Sequence, residues 1–145
     1  MRIARASVAV ARRQAGWLVT TEPLLGLGYQ AASLARWLGR KARVGQVLVA
    51  QDKDDVCGLM VVQPEVLLGH FIALLMVKPA AQGRGIGQAL VGAAKKRAAR
   101  FLYTSSDSKN AGAARFYRKL GFCRVGKLED LVRKGRTEIL WRMTL

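Results

Sequence analysis

A six-residue turn between an apolar run and a helical pattern carries the clearest chemical signal in the sequence. The apolar run ends at Lys78-Pro79, the turn reads Gln82-Gly83-Arg84-Gly85-Ile86-Gly87, and the helical pattern continues to Arg100. Glycines let a backbone approach a ligand closely because they carry no Cβ. A helix N-terminus adds free N–H groups and the positive end of the helix dipole. This order of strand, turn and helix predicts a phosphate-binding site.

The spacing of these glycines excludes two common classes of phosphate loop. A dinucleotide fingerprint needs glycines at its first, third and sixth places. Counted from Gly83 the sixth place is Gln88, and counted from Gly85 it is Leu90. A nucleotide P-loop needs a lysine directly after its second glycine. Gly87 finds its partner at position 92, but alanine follows, so neither class fits.

A second pair of polar side chains lies downstream, in a segment that predicts a helix. Asn110 and Tyr117 are seven residues apart, which is two helical turns, so they share one face. A tyrosine hydroxyl is neutral at pH 7 and has a proton that it can donate. Asn110 is also a good helix N-cap, and Tyr117 also suits a packed core, so two structural roles stand beside the functional ones.

Together the two segments resemble the GNAT superfamily of acyl-CoA-dependent N-acetyltransferases. The turn is similar to its pyrophosphate motif, Gln/Arg-x-x-Gly-x-Gly/Ala. The second signature, N-x-x-A-x-x-F-Y-x-x-x-G-F, is similar to residues 110–122. The resemblance implies one N-acetyltransferase domain over 1–145, with an acetyl-CoA core at about 70–122 and a variable, substrate-facing part at about 1–45.

The resemblance also implies roles for individual residues. The strand before the turn would hold the pantetheine arm and polarise the acetyl carbonyl through its main chain, the turn would hold the pyrophosphate, Asn110 would hold the pantetheine and Tyr117 would protonate the CoA thiolate. The implied acetyl-CoA-binding residues are Leu75, Met76, Val77, Gln82, Gly83, Arg84, Gly85, Ile86, Gly87, Gln88, Asn110 and Tyr117. Arg84 is equally well interpreted as a solvated surface arginine. No metal is implied.

The general base is where the sequence departs from many relatives, which carry a carboxylate on the strand before the turn or at the end of the next one. Here the first strand has none, and the second ends in Thr104-Ser105-Ser106. The candidates are Glu65, His70, Asp107 and Glu22, and a chain of waters is equally suitable. The base is left unassigned.

The elements that must position these residues predict an α/β fold. The predicted strands span about 2–6, 46–51, 56–63, 70–77, 101–105, 122–126 and 137–143, and the clearest helices span 29–38, 85–100 and 110–120. Gly39 is predicted to end the first of these helices, and Pro64 to end the third strand. The resemblance adds a mixed central sheet with helices on both faces.

Composition bounds the remaining choices. With 145 residues, 51% of them hydrophobic, the chain is long enough for a sizeable core, and it has no apolar run long enough to span a bilayer. Cys57 and Cys123 are interpreted as reduced core cysteines of a cytoplasmic protein. The 25 basic against 9 acidic residues give a net charge of +16. That charge leaves open a basic nucleic-acid-binding or regulatory module with little catalysis, although the aromatic interleaving typical of such modules is missing.

The predicted activity is acetyl transfer from acetyl-CoA to a primary amine, by direct attack in a ternary complex. The acceptor, a small molecule or a protein, is not specified by the sequence, and a homodimer remains open.

Overall fold

A computed structural model describes residues 1–145 and contains seven strands and six helices. The strands are hydrogen-bonded in the order β1-β2-β3-β4-β5-β7-β6. Strands β4 and β5 run parallel, whereas the pairs β1–β2, β2–β3, β5–β7 and β6–β7 are antiparallel. The predicted α/β class with a mixed sheet is confirmed. In chain order the elements are β1 Arg2–Arg5, α1 Val8–Arg13, α2 Ala15–Val19, α3 Leu24–Leu27, α4 Ala31–Arg43, β2 Val47–Asp52, β3 Asp55–Val66, β4 Gly69–Val77, a 3₁₀ turn Pro79–Ala81, α5 Ile86–Arg97, β5 Phe101–Asp107, α6 Ala111–Leu120, β6 Cys123–Glu129 and β7 Thr137–Thr144.

The chain divides into two compact units, and strands β3 and β4 contribute residues to both. Unit 1 comprises Met1–Val62 and Leu74–Ala93. Its core lies along β2 and β3, where 47–50 and 56–62 are buried at every position. Strands buried at consecutive positions are covered on both faces, because successive side chains point to opposite sides. Helix α4 packs near β2, and α5 covers the face of β3 at Gly58.

The contact between β3 and α5 is close because residue 58 has no side chain. A Cβ built at Gly58 would lie 2.8 Å from Ile86 Cγ2 and 3.3 Å from Leu90 Cδ1. Ile86 is the first residue of α5, and both it and Leu90 are buried. Glycine at this position therefore sets how closely the start of α5 approaches the strand.

Unit 2 comprises Gln63–Ala73 and Ala94–Leu145. Strand β5 pairs with β4 on one side and with β7 on the other. Helix α6 packs Tyr117 against Trp141 of β7, which is 1% exposed. Strand β6 ends the strand order and is exposed at every residue except the half-buried Gly126, where its register with β7 shifts.

Two predicted boundaries are wrong. Gly39 does not end a helix, because α4 continues to Arg43. Gly39 is buried beside the Arg12 side chain of α1, and a Cβ built at Gly39 would lie 3.3 Å from the carbons of that side chain. Pro64 does not end a strand, because β3 continues to Val66. Strand β2 pairs with β3 only as far as Val61, so the missing N–H of Pro64 removes no bond to β2.

Other predictions need smaller corrections. Cys57 is buried and unpaired as expected, but Cys123 is exposed at the start of β6 and is not a core residue. Strand β5 extends to Asp107, which was expected in a loop, and the expected loop around Leu27 contains the short helix α3. No helix has the length and apolar content needed to cross a membrane.

Candidate functional site

The glycine-rich turn in unit 1 follows β4 after the short 3₁₀ turn Pro79–Ala81. Gly83 and Gly85 adopt φ values of +81° and +77°, which L side chains rarely adopt, and no atom lies within 4 Å of a Cβ built at either one. Residues 82–85 are exposed, and α5 begins immediately after them at Ile86. Alternation of positive and negative φ turns successive backbone N–H groups toward one side, which makes a concavity suited to anions.

The first turn of α5 supplies further donors. The first four N–H groups of a helix have no intrahelical partner, and they include those of Ile86, Gly87 and Gln88. The Ala89 N–H already bonds to the Gly85 carbonyl at 3.0 Å, so the helical bonding pattern starts at Gly85. The end of the turn therefore combines free N–H groups with the positive end of a twelve-residue helix dipole.

Polar contacts within unit 1 fix the turn to the strands beneath it. The Gln82 side chain donates to the Val77 carbonyl at 3.3 Å, which joins the turn to the last residue of β4. The Lys78 backbone donates to the Cys57 carbonyl at 2.8 Å. The Lys78 ammonium lies 3.2 Å from Asp55 Oδ1. The sequence predicted Gln82 as part of the motif, but not that its side chain bonds back to the strand.

Arg84 is paired with a carboxylate of the β2–β3 hairpin. Its guanidinium donates to Asp52 at 2.6 Å, and the N-terminal ammonium lies 3.2 Å from the same carboxylate. The Arg84 side chain is about half exposed. The Arg84 hydrogen bond, and then that of the N-terminus, lower the pKa of Asp52. Asp52 raises the pKa of Arg84 in turn. Arg84 is therefore neither a freely solvated surface arginine nor an uncompensated charge.

The strand residues Leu75, Met76 and Val77 form the end of β4. Met76 is buried, and its two neighbours are half-buried. The Val77 carbonyl is used by Gln82, whereas the side chain of Met76 belongs to the core. The structural role expected for these side chains is present, and the main-chain role implied for them remains a prediction.

Asn110 in unit 2 caps helix α6. Its side-chain oxygen accepts a hydrogen bond from the Ala113 N–H at 3.0 Å, and its residue is exposed. Gly121 closes the same helix in the left-handed conformation at φ +102°. The helix and its Gly121 C-cap were predicted correctly, and the N-cap is the structural role that stood beside the functional one for Asn110. The capping bond uses the oxygen of the Asn110 amide, and the NH₂ group of that amide does not take part in it.

Tyr117 is buried in an aromatic cluster of unit 2. It is 7% exposed, and its ring makes edge contacts with Phe116 at 5.3 Å and with Phe122 at 5.4 Å. Burial raises the pKa of the Tyr117 phenol, which a hydrogen bond with the Thr104 side chain partly offsets. The Thr104 hydroxyl also donates to the Ile72 carbonyl at 3.2 Å. Because its pKa is raised, the phenol is neutral at pH 7.

Asp107, one of the candidate bases, has both carboxylate oxygens occupied. Arg136 donates to Oδ2 and the Lys109 backbone donates to Oδ1, each at 2.8 Å. These two bonds, that of Arg136 first, lower the pKa of Asp107. A carboxylate held in this way is a weak proton acceptor at neutral pH.

The other candidates from the sequence are scattered. In unit 1, Glu22 accepts from the Gly26 N–H at 3.1 Å and so supports helix α3. In unit 2, Glu65 is exposed near the end of β3 with a positive φ. His70 is half-buried on β4, and its Nδ1 is buried without a hydrogen-bond partner.

Glu138 on β7 is a buried carboxylate that the sequence did not single out. It is 8% exposed, and its Oε1 accepts a hydrogen bond from the Ser105 hydroxyl at 3.1 Å. Burial raises the pKa of Glu138 most strongly, Asp107 raises it further, and Ser105 and Arg136 oppose the rise. Its position in an alternating strand indicated a polar face, but its long-range partners could not be read from local pattern.

No group of three or more histidine, cysteine, aspartate or glutamate side chains is arranged to hold a metal ion.

The sequence profile of the acetyltransferase (GNAT) domain matches residues 43–124, which is more than half of the chain. The chain belongs to the GNAT acetyltransferase family. Acetyl transfer that depends on acyl-CoA is thus its general chemistry. The matched segment includes β2 to β5, the glycine-rich turn and helix α6, and so contains both resemblances found in the sequence. No curated protein matches this sequence.

Solved GNAT structures share the fold over nearly the whole chain. A GNAT-family acetyltransferase from Bacillus cereus ATCC 10987 has a TM-score of 0.83 at 17% identity, covering 99% of this chain and 96% of its own. An aminoglycoside 6'-N-acetyltransferase complexed with coenzyme A has a TM-score of 0.80 at 18% identity, with 99% and 97% covered. A ribosomal-protein-alanine N-acetyltransferase from Brucella melitensis has a TM-score of 0.74 at 21% identity, with both chains covered completely.

Proposed function

We propose that this GNAT protein transfers the acetyl group of acetyl-CoA to a primary amine, by direct attack within a ternary complex. The observation that carries the proposal is the exposed turn with two positive-φ glycines between the end of β4 and the N-terminus of α5. In this proposal the pyrophosphate binds to N–H groups of 83–88, where no Cβ at Gly83 or Gly85 obstructs its approach. Arg84 is already paired with Asp52, so its positive charge is partly neutralised before the pyrophosphate binds.

The remaining roles follow the family. The main chain of Leu75, Met76 and Val77 binds the pantetheine arm as an added strand and donates an N–H to the acetyl oxygen. The Asn110 amide group that capping leaves unused binds the same arm. The neutral, buried phenol of Tyr117 protonates the CoA thiolate as it leaves. The protein works mainly by positioning and by stabilising the oxyanion.

The acceptor is proposed only as a primary amine. The structural relatives named above act on different acceptors, an aminoglycoside and the alanine of a ribosomal protein. The net charge of +16 favours an acceptor with an acidic surface or acidic groups. We place the protein in the cytoplasm, where two unpaired cysteines stay reduced.

Calorimetry with acetyl-CoA followed by a panel of amines tests this function. We expect acetyl-CoA to bind with a dissociation constant between about 1 μM and 1 mM, the usual range for a substrate. Release of free CoA is then measured with kanamycin, spermidine, lysine and a peptide that begins with alanine. The proposal would be contradicted if acetyl-CoA gave no binding heat. It would also be contradicted if acetyl-CoA bound but no amine of the panel released CoA.

The second candidate function, a basic nucleic-acid-binding module on the same fold, is favoured by the net charge of +16 alone. Titration of duplex DNA and single-stranded RNA between 50 and 200 mM salt separates the two. A module of this kind loses about 10³–10⁵ in affinity over that range when it makes six to ten phosphate contacts. If nucleic-acid binding is weak and is lost at higher salt, while acetyl-CoA is clearly turned over, acetyl transfer is the function.

A further inference from the structure

Consecutive residues of β5 carry polar groups to opposite faces of the sheet in unit 2. Side chains alternate along a strand, and residues directly opposite in an antiparallel pair share a face. Thr104 is opposite Trp141, and both contact Tyr117, so this face is covered by helix α6. The next residue, Ser105, points to the other face, where its hydroxyl donates to Glu138.

The face that carries Ser105 holds two carboxylates with different partners. Asp107 and Glu138 are directly opposite in the β5–β7 register. The guanidinium of Arg136 donates to Asp107, whereas Glu138 receives a bond from the neutral Ser105 hydroxyl. One carboxylate of the pair is thereby held ionised, and the other is buried beside it with weaker support for its charge. Pairs of carboxylates with such unequal surroundings separate into one fixed anion and one proton acceptor.

We propose that Glu138 is the general base that takes the proton from the acceptor amine. The proposal deepens the acetyl transfer proposed above and rests on it. The amine nitrogen forms a bond to the thioester carbon, and the carbonyl electron pair moves onto oxygen. Collapse of this adduct breaks the C–S bond. One N–H proton passes to the Glu138 carboxylate, directly or through one water, and the thiolate takes the phenol proton of Tyr117. Solvent then carries one proton from Glu138 back to Tyr117, so the enzyme is restored.

Placement on opposite faces suits the two proton transfers. One proton must leave the amine while another reaches the sulfur, and a base next to the acid would exchange protons with it instead. Thr104 and Ser105 are adjacent in the chain, yet they direct Tyr117 and Glu138 to different sides of β5. The burial that raises the pKa of Glu138 brings its basicity nearer to neutral pH, where a general base is most effective.

The same geometry argues against two of the other candidates in unit 2, Asp107 and His70. Asp107 has both oxygens bonded and a lowered pKa. His70 is aligned with Leu102 in the parallel β4–β5 pair, so it lies on the face of Thr104 and Tyr117. Glu138 is therefore the one of these three groups that is both lightly bonded and on the face opposite the proposed acid.

Replacement Glu138→Gln tests the assignment with little change of shape. On an amine that the panel identifies, we expect kcat/KM to fall by about 10²–10⁴, the usual contribution of a general base. The acidic limb of the pH profile disappears, and residual activity rises with pH as more free amine is present. The acetyl-CoA dissociation constant, measured by calorimetry, stays within about twofold. The matched control is Glu129→Gln, an exposed carboxylate of β6 whose loss leaves turnover unchanged.

A second variant keeps the proposal testable should Glu138→Gln fold poorly. Ser105→Ala removes the hydroxyl that stabilises the Glu138 anion, so the acidic limb of the profile moves to higher pH while the plateau rate is retained. The groups that face Glu138 are Ser105 and Asp107 of β5 and Arg136 before β7. Tyr117, on the other face of the sheet, interacts with Glu138 electrostatically. Asp107→Asn moves the acidic limb to lower pH, because removal of a neighbouring negative charge lowers the pKa of Glu138.

The outcomes separate the base from the proposed function. A wild-type protein that acetylates no amine on the panel overturns the acetyl transfer and the base together. A wild-type enzyme that is active, with Glu138→Gln within threefold of it and the same acidic limb, overturns the base alone. If the acidic limb is unmoved in Ser105→Ala but lost in His70→Asn, the base is His70. That result also overturns the assignment of Glu138.

Discussion

Tyr117 combines core packing with the proposed acid role in one side chain. Its ring fills the space between Phe116, Phe122 and Trp141, so the residue is part of the unit 2 core. Its hydroxyl is hydrogen-bonded with the Thr104 side chain, which donates a hydrogen bond to the Ile72 carbonyl. The phenol therefore has a hydrogen-bond partner and is neutral before any substrate binds. A proton donor prepared in this way needs little reorganisation during the reaction.

Replacement Tyr117→Phe should remove the proton donor and keep the ring. We expect turnover to fall by about 10²–10⁴ while acetyl-CoA affinity is retained, because the ring packing survives and only the transfer to sulfur is lost. Stability should fall by about 1 kcal/mol through loss of the bond to Thr104. Steady-state kinetics and calorimetry on one preparation measure both effects. Unchanged turnover would remove Tyr117 from the acid role.

The sequence predicted which residues form the glycine-rich turn, but not what those residues touch. Glycine spacing and the helix that follows are local features, so the turn could be identified without a structure. The pairing of Arg84 with Asp52 joins positions 32 residues apart, and that of Ser105 with Glu138 joins positions 33 apart. Partners this distant depend on strand register, which a local pattern does not contain. For this reason the candidate base was missed.

At the scale of secondary structure, the start of α5 depends on a strand residue that has no side chain. Gly58 of β3 admits Ile86 and Leu90 so closely that even a methyl group would be 2.8 Å from Ile86 Cγ2. That carbon branches from Cβ and cannot move away by a simple change at the end of the chain. The packing of β3 thus determines where the proposed pyrophosphate donors lie within unit 1.

Replacement Gly58→Ala should therefore affect both stability and cofactor affinity. We expect a loss of about 1–3 kcal/mol in the free energy of unfolding from overpacking, and weaker acetyl-CoA binding because α5 shifts at its first turn. The matched control is Gly92→Ala in the same helix, where a built Cβ meets no atom within 4 Å. It should stabilise the helix by about 0.5–1 kcal/mol and leave affinity unchanged. Urea unfolding and calorimetry compare the pair, and equal effects would contradict the packing argument.

Elements with local signals were predicted well, and those decided by tertiary contacts were not. The helix from Asn110 to Gly121 has its cap residues at both ends of an amphipathic pattern, and it forms as predicted. Gly39 has the residue type of a helix end, but it lies inside α4, where the missing side chain leaves room for the Arg12 side chain. Pro64 likewise has the residue type of a strand end. Each error arose because a local preference was overridden by packing or pairing with a distant segment.

For the whole molecule, ionisation of two neighbouring carboxylates should act on stability in opposite directions. Asp107 has a lowered pKa in the folded state, so its contribution is present above its ordinary value of 3.8 and is lost as pH falls through the folded value. Glu138 has a raised pKa. Its contribution is complete below 4.5 and is lost as pH rises through the folded value.

Thermal unfolding from pH 3 to pH 8 should reveal both contributions. Glu138→Gln should melt at a higher temperature than wild type at pH 8, and the difference should vanish near pH 4, where the wild-type carboxyl is protonated. Asp107→Asn should melt lower at pH 7, with its difference vanishing at strongly acid pH. A change of 1 kcal/mol corresponds to about 2–4 °C for a chain of this length. A Glu138→Gln difference that is independent of pH would contradict the assignment of burial as its cause.

The two cysteines differ in a way that serves experiment. Cys57 lies within the core of unit 1, while Cys123 is exposed at the start of β6. Cys123 directly follows Phe122, whose ring contacts Tyr117. A fluorescent or spin label attached to the native protein would thus be directed to one position, beside the aromatic cluster of unit 2, without any cysteine having to be added or removed. The sequence carries its own spectroscopic attachment point next to the residue whose chemistry most needs to be followed.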